Sequence, residues 1–349
     1  MFKDSLKNTL FTIVLSLGLG ALVMVCMGYN PIQAYYELFK GAFVGKLSLG
    51  GTLERFVPLL LTSLAFAVSS KVAVFNVGVE GELYLGAIAA AWAGVAFKGL
   101  PMLLHISLCF AVAIVSGALW AAIAGALKAY WNVNEVCTTI LLNYVAIFFT
   151  SYVANYIFSA KTGIPSTPPI AATAMLYQFM RPSRANIGLF IALAFYLLVW
   201  WTIERTTLGY KIRSVGTNAG YSRVVGINAP LIMVLGMAVS GGLGGLAGSI
   251  EVMGIYGYFL DSFSSGIAFD GLLAALIAKN DLRLVPILAF FLAILKTGAL
   301  GMERFTGVPK ALLDAIIALF ILLASLEVLH MLRTKRPGAR AAQKEEVRE

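Results

Sequence analysis

Apolar positions in this chain fall in long blocks, separated by short polar breaks or breaks rich in glycine and proline. A helix that crosses the hydrocarbon core of a bilayer needs about 20 predominantly apolar residues. Ten blocks approach that requirement: 8–29, 55–71, 80–97, 102–130, 135–158, 185–204, 231–253, 269–279, 284–300 and 310–332. The pattern predicts an all-α, polytopic membrane bundle of about ten transmembrane helices. The eighth block is short, and 72–79, between the second and third, is apolar but broken by glycine. Interrupted segments are therefore expected near 72–82 and 259–271. The first block is too long for a signal peptide and lacks a small-residue cleavage site, so it is expected to be a retained helix.

The segments between blocks are informative. Residues 30–54 contain an amphipathic stretch, 31–43. Residues 159–184 carry Pro165, Pro168 and Pro169 and cannot form a regular helix. Residues 205–230 are polar and basic, with Leu208, Ile212 and Val215 at helical spacing. Gly216 is expected to end that short helix, and 218–225 can form a second. Two such helices make a docking surface at the cytoplasmic face, the alternative being an ordinary interfacial loop. The expected organisation is a transmembrane domain over 1–332, containing the 205–230 coupling segment, and a charged, disordered cytoplasmic tail over 333–349.

Composition supports the membrane class. Of 349 residues, 60% are hydrophobic and 12% charged, with a mean hydropathy of +0.86. A soluble domain has about a quarter of its residues charged. The net charge of +9 is spread over loops and ends, so it reads as topology, with no nucleic-acid surface. The distribution of Lys and Arg favours both termini in the cytoplasm. Cys26, Cys109 and Cys137 have no metal-ligand spacing and are expected to be buried free thiols. His105 and His330 are isolated. No G-x-x-x-x-G-K-[ST] motif occurs, and no clustered His, Cys or paired acids point to an enzyme or a metal site.

Several features carry chemistry. The run FNVGVEGE (75–82) sets two carboxylates among glycines inside apolar sequence. Charged groups at such depth usually face the bundle interior or water. Glu80 or Glu82 can cap the start of the third helix; the alternatives are a solvated turn or direct contact with a solute. Asn76-Val-Gly-Val-Glu80-Gly81 has a faint echo in Gly266-Ile-Ala-Phe-Asp270-Gly271, as duplicated transporter halves leave. NEVCTTILLNYVA (134–146) places Thr138, Thr139, Asn143 and Tyr144 on a membrane helix, either facing the bundle interior or bonding neighbouring helices. SGGLGGLAGS (240–249) is read as close helix packing at a moving seam, and Glu251 just beyond it is a rare intramembrane acid. Tyr256, Tyr258, Phe259, Phe263 and Phe269 form either an interfacial belt or a stacking surface.

Five runs occur in order: FNVGVEGE, NEVCTTILLNYVA, TTLGYKIRSVGTNAGYSRVVGI (206–227), SGGLGGLAGSIEVMG (240–254) and FSSGIAFDGLLAALIA (263–278). Together they resemble the permease subunit of ABC importers in the ribose/nucleoside (branched-chain-type) family. The closest likeness is to the larger permease of nucleoside uptake systems served by basic-membrane-protein-type lipoproteins. The resemblance implies a permease of the bacterial inner membrane that is not itself an enzyme and binds no cofactor. ATP and Mg would belong to a partner ATPase. A second homologous permease, giving a heterodimer, and an extracytoplasmic binding lipoprotein would complete the system. By the same likeness, Leu208, Gly209, Arg213, Gly216, Asn218 and Gly226 belong to the segment that couples to the ATPase. Asn76, Glu80, Glu82, Asn143, Tyr144, Phe269 and Asp270 are the expected translocation-pathway residues. The implied solute is a nucleoside; riboflavin and simple sugars are served by close relatives. An ion-coupled secondary transporter using Glu80, Asp270 or Glu251 is the competing class.

Overall fold

The computed structural model describes residues 2–161 and 163–325. In order, the α-helices are α1 (Phe2–Cys26), α2 (Pro31–Phe43), α3 (Lys46–Lys71), α4 (Val79–Ala96), α5 (Met102–Trp131), α6 (Glu135–Tyr152) and α7 (Gly188–Arg205). They continue with α8 (Thr207–Thr217), α9 (Ala219–Val224), α10 (Ala229–Glu251), α11 (Ile267–Ile277), α12 (Val285–Thr306) and α13 (Lys310–Ser325). Wider π-helical turns extend α6 over Val153–Ile157 and α10 over Val252–Tyr256. Among the described residues no regular strand forms; two isolated bridges, Ser166–Leu260 and Gln178–Asn186, are the extended pairings present.

The chain is an all-α membrane bundle. Among the described residues six helices are long and apolar enough to cross a membrane: Lys46–Lys71, Met102–Trp131, Glu135–Ile157, Gly188–Arg205, Ala229–Tyr256 and Val285–Thr306. The apolar helices Ile13–Cys26 and Ile267–Ile277 are shorter. The anticipated count of about ten thus has six members on length and hydropathy. α11 falls short because it is only 11 residues long. α4 carries Glu80 and Glu82 in its first turn. The last block, 310–332, runs beyond the described residues, and the tail 333–349 lies wholly outside them. Two anticipated breaks are present, over 72–78 and 257–266, and the amphipathic 31–43 is α2.

The described chain divides into two compact units, 2–41 with 298–325, and 42–297. In the first, α1 packs on α13. The Tyr35 hydroxyl donates to the Leu17 carbonyl at 2.6 Å, and Gly41 meets the backbone of Gly301. In the second, α10 lies against α5, α4 and α3, while α11 packs on α3 and α4 packs on α6.

Glycine sets how closely the second unit packs. A Cβ on Gly241 or Gly245 would run into the backbone of α5 at Gly117 and Ala113. One turn round the same helix, Gly248 abuts the Leu83 carbonyl of α4, and Gly244 lies against the Glu82 side chain. A Cβ on Gly86 of α4 would fall within the Gly245 backbone. The run Ser240–Ser249 is buried throughout. Its small residues, spaced four apart, let two helix backbones approach α10 from two sides, which is the packing expected of them. Cys109 is buried, but Cys26 and Cys137 are exposed, contrary to expectation: α6 presents most of its surface outward, and Cys26 closes α1. His105 is buried and structural, with Nδ1 2.8 Å from the Thr173 hydroxyl and Nε2 3.3 Å from the Ala93 carbonyl.

Gly86→Ala should destabilise the purified protein by about 1–3 kcal/mol through overpacking. Gly18→Ala, where a Cβ meets nothing within 4 Å, should not. Thermal unfolding in detergent compares the two; equal melting would disprove the close packing of α4 on α10.

Candidate translocation core and docking face

The first break, 72–78, is held by side chains from three helices. α3 stops at Lys71, and Ala73 takes a left-handed conformation, φ 56°. Asn76 then works as a hub. Its Oδ1 accepts from the Gly78 N–H at 2.9 Å. Its amide donates to Glu82 Oε1 and to the Ser240 hydroxyl of α10, each at 2.9 Å. From α6, the Thr139 hydroxyl accepts from Val77 N–H at 3.2 Å. Asn143 donates to the Val77 carbonyl at 2.6 Å and accepts from Gly81 N–H at 2.7 Å. A Cβ on Gly81 would lie 3.0 Å from Asn143 Cα, so glycine there admits the α6 backbone. Non-helical backbone survives at membrane depth only when protein or a cavity satisfies it, and these bonds do so.

The break is not a solvated turn. Asn76, Glu80 and Glu82 are 0%, 3% and 1% exposed. The sequence suggested that Glu80 or Glu82 caps its own helix, and this is corrected: Glu80 caps a different one. Its Oε2 accepts from the Ala268 N–H at 2.8 Å, at the start of α11, and its Oε1 accepts from the Ser264 hydroxyl at 2.5 Å. Ser264 also accepts from Ile267 N–H at 3.2 Å, and its carbonyl takes the Tyr84 hydroxyl at 3.0 Å. A carboxylate two residues into α4 thus serves the free N–H groups of a helix nearly two hundred residues away.

The second break, 257–266, is covered by the proline-containing segment 158–187. Thr167 N–H donates to the Phe259 carbonyl, Ile170 N–H to Gly257, and Leu176 N–H to Met253, all at 2.9 Å. Gln178 adds its side-chain amide to the Gly254 carbonyl at 3.1 Å. In return Asp261 N–H donates to the Pro165 carbonyl and Phe259 N–H to the Thr167 hydroxyl. Beneath this strap Phe259 and Phe263 are buried around Tyr84, with ring centroids 6.2 and 5.0 Å away. They form neither a belt nor an open stacking surface, whereas Phe269 is exposed. The echo between the two breaks has a structural parallel: Gly271 of α11 abuts Thr62 and Ser63 of α3 as Gly81 abuts Asn143. Asp270 pairs with Lys296 of α12 at 2.5 Å. Tyr144 is exposed on α6, and Glu251 is buried at the end of α10. Lys296 and Ser264 were not singled out in the sequence. A lone lysine in an apolar helix was the signal for the first; a serine in a loop carries none.

The 205–230 segment forms the two short helices expected, α8 and α9. Thr206 caps α8 by accepting from Gly209 N–H at 3.3 Å, and Asn218 caps α9 by accepting from Tyr221 N–H at 2.9 Å. The Ser214 and Ser222 hydroxyls join the pair at 2.9 Å. Arg213 Nη1 donates to the Ile203 carbonyl and lies 3.8 Å from Glu204 Oε2. Gly216 does not end α8, which runs to Thr217; a Cβ there would strike the Lys71 carbonyl at the end of α3. Gly209 is likewise pressed on the Ile203 carbonyl, and Gly226, φ 84°, turns the chain towards α10. Outward, Leu208, Tyr210, Tyr221, Val224 and Val225 are exposed beside Lys211 and Arg223.

Residues 48–326 match the family described as the branched-chain amino acid transport system / permease component. The chain belongs to this family. It is a transport permease and not itself an enzyme. It is 35% identical over 317 residues to the guanosine ABC transporter permease protein NupP of Bacillus subtilis, covering 90% of this chain and 91% of that one. The nucleoside ABC transporter permease protein NupB of Lactococcus lactis is 35% identical over 322 residues, covering 89% and 88%. The glucose ABC transporter permease protein TsgB13 of Haloferax volcanii is 32% identical over 323 residues, covering 89% and 84%. The same Bacillus and Lactococcus strains each hold a second, less similar permease, NupQ at 28% over 77% of this chain and NupC at 25% over 64%.

Loss of the Glu80 cap should be visible without transport. Glu80→Ala should lower stability by about 1–2 kcal/mol, and Glu80→Gln, which keeps one acceptor, by less. Unfolding in detergent at fixed lipid content measures both; an alanine variant that melts like the wild type would contradict the cap.

Proposed function

We propose that the chain is the transmembrane permease subunit of an ATP-driven importer of nucleosides in a bacterial inner membrane. The observation that carries this is 35% identity to guanosine and nucleoside permeases along about nine-tenths of both chains. In this reading a second, homologous permease completes the path, as the paired relatives suggest. A binding lipoprotein delivers the solute from outside, and ATP with Mg is consumed in a separate ATPase. Both termini lie in the cytoplasm, and the further helices α1, α4, α11 and α13 bring the bundle to about ten spans.

The coupling face is α8 with α9. Leu208 and its exposed apolar neighbours meet the ATPase, while Gly209, Arg213, Gly216, Asn218 and Gly226 keep the two helices in shape and seated. The contact between Gly216 and the Lys71 carbonyl supports a mechanical route. Movement of α8 reaches the end of α3, then the break at 72–78, then Asn76, Glu82 and Glu80, and so the start of α11. Asn76, Glu80, Glu82 and Asn143 thereby shape the pathway from within, and Tyr144, Phe269 and Asp270 stand nearer its surface. Alternating access follows if nucleotide binding favours one arrangement of these breaks over the other.

Two measurements test this. Uptake by the assembled system in proteoliposomes, with guanosine, uridine, riboflavin and glucose, should show nucleosides moving and the others not; glucose uptake without nucleoside uptake would move the chain to the branch of its sugar-transporting relative. Gly216→Val and Arg213→Ala should keep ATP hydrolysis but lose at least tenfold in uptake, whereas Gly18→Val should lose nothing. Full uptake in both variants would remove the coupling role from α8.

A further inference from the structure

Tyr144 is the first of a row of aromatic residues along one face of α6. Tyr144, Phe148, Tyr152 and Tyr156 recur every fourth residue and lie on one ridge. They are 58%, 68%, 55% and 77% exposed. Tyr144 and Phe148 are stacked at 26°, with centroids 6.5 Å apart, and Tyr152 and Tyr156 are 5.2 Å apart at 33°. Among the described residues nothing accepts from or donates to the three hydroxyls. The helix and its π-turn extend from Glu135 to Ile157, about 34 Å at helical rise. Tyr144 is about 14 Å from its start, close to the middle of a hydrocarbon core about 30 Å thick. Tyrosine belongs to the interface of a membrane, not its centre. An unpartnered phenol at mid-depth therefore argues that this ridge meets water or a polar solute and not acyl chains.

At the outer end of the ridge is a carboxylate. Asp261, in the second break, accepts through Oδ2 from the Ser151 hydroxyl at 2.8 Å and from the Asn155 amide at 3.2 Å. Its Oδ1 takes no bond among the described residues. Ser151 and Asn155 immediately precede Tyr152 and Tyr156, so the acid is fixed against the flank of the ladder. A row of aromatic faces ending at an anchored carboxylate suits a planar heteroaromatic ring that carries neighbouring hydroxyls. The rings stack on the base, a contact open to any base because each has a π-face, and the carboxylate accepts from the hydroxyls.

We infer that this ridge is the solute track, with Tyr152, Tyr156 and Asp261 at its outer mouth and Tyr144 and Phe148 leading inward. The inference rests on the nucleoside reading for the solute, but not for the wetness of the track. In the assembled transporter, with Cys26, Cys109 and Cys137 replaced by alanine, Tyr144→Cys and Tyr152→Cys should react with a charged, membrane-impermeant thiosulfonate. Saturating guanosine with the binding protein should slow that reaction. Asp261→Asn should reduce the preference for guanosine over 2′,3′-dideoxyguanosine by about tenfold, and Tyr152→Leu should lower uptake more than Tyr152→Phe. Reaction only with a lipid-soluble maleimide would place the ridge in lipid. No reaction with either reagent, together with oxidative crosslinking to the second permease, would make it a subunit interface. Either result overturns the track. If the wild type moves no nucleoside while both cysteines still react with the charged reagent, the proposed function falls and the wet track stands. Should a cysteine variant fail to assemble, Tyr156→Cys, at the most exposed position, decides the same question.

Discussion

Backbone that leaves the helix inside an apolar bundle must find its hydrogen-bond partners within the protein, because acyl chains offer none. The architecture of residues 42–297 follows from how that demand is met twice. At Val77 and Gly78 the partners are the side chains of Asn76, Thr139 and Asn143, and Ser240 holds the Asn76 amide. At 257–266 and the turn before it they come chiefly from another stretch of backbone. Glu80 joins the two solutions, since it begins in the helix that follows the first break and ends on the N–H groups that follow the second.

Around these breaks the glycines impose the opposite character. α10 touches α4 and α5 through backbone on two sides, leaving little side-chain volume to rearrange. A contact of that kind slides or separates as a unit; it does not deform gradually. The unit thus combines stiff packed helices with short polar joints. The α8–α3 contact at Gly216 and Lys71 lies directly beside the first of these breaks.

Much of this was legible before any coordinates. The apolar blocks give the helices, and the glycine and acidic residues at 75–82 mark the first break, because neither residue type belongs in a continuous membrane helix. Helical spacing of Leu208, Ile212 and Val215 gives α8. What stayed hidden is long-range. Nothing near Glu80 in the chain indicates that its partners are Ser264 and Ala268, and Gly216 looks like a helix terminator although its purpose is to clear the Lys71 carbonyl. The aromatic residues at 256–263 read equally well as a belt, because burial around Tyr84 depends on an element far away in sequence. The short α11 and the acidic start of α4 explain why fewer helices reach a full span by length and hydropathy than there are apolar blocks: polarity and breaks remove residues from the apolar length that crossing requires.

The strap over the second break makes most of its contacts with main-chain groups. Thr167 and Ile170 donate N–H groups, and between them sit Pro168 and Pro169, which have none to leave unsatisfied. Bonds of that kind depend on where the peptide units lie and hardly on which residues carry them. Apart from Thr167 and Gln178, whose side chains take part, the strap can change its surface chemistry while keeping its grip. The lettering of such a segment is free to diverge without disturbing the fold beneath it.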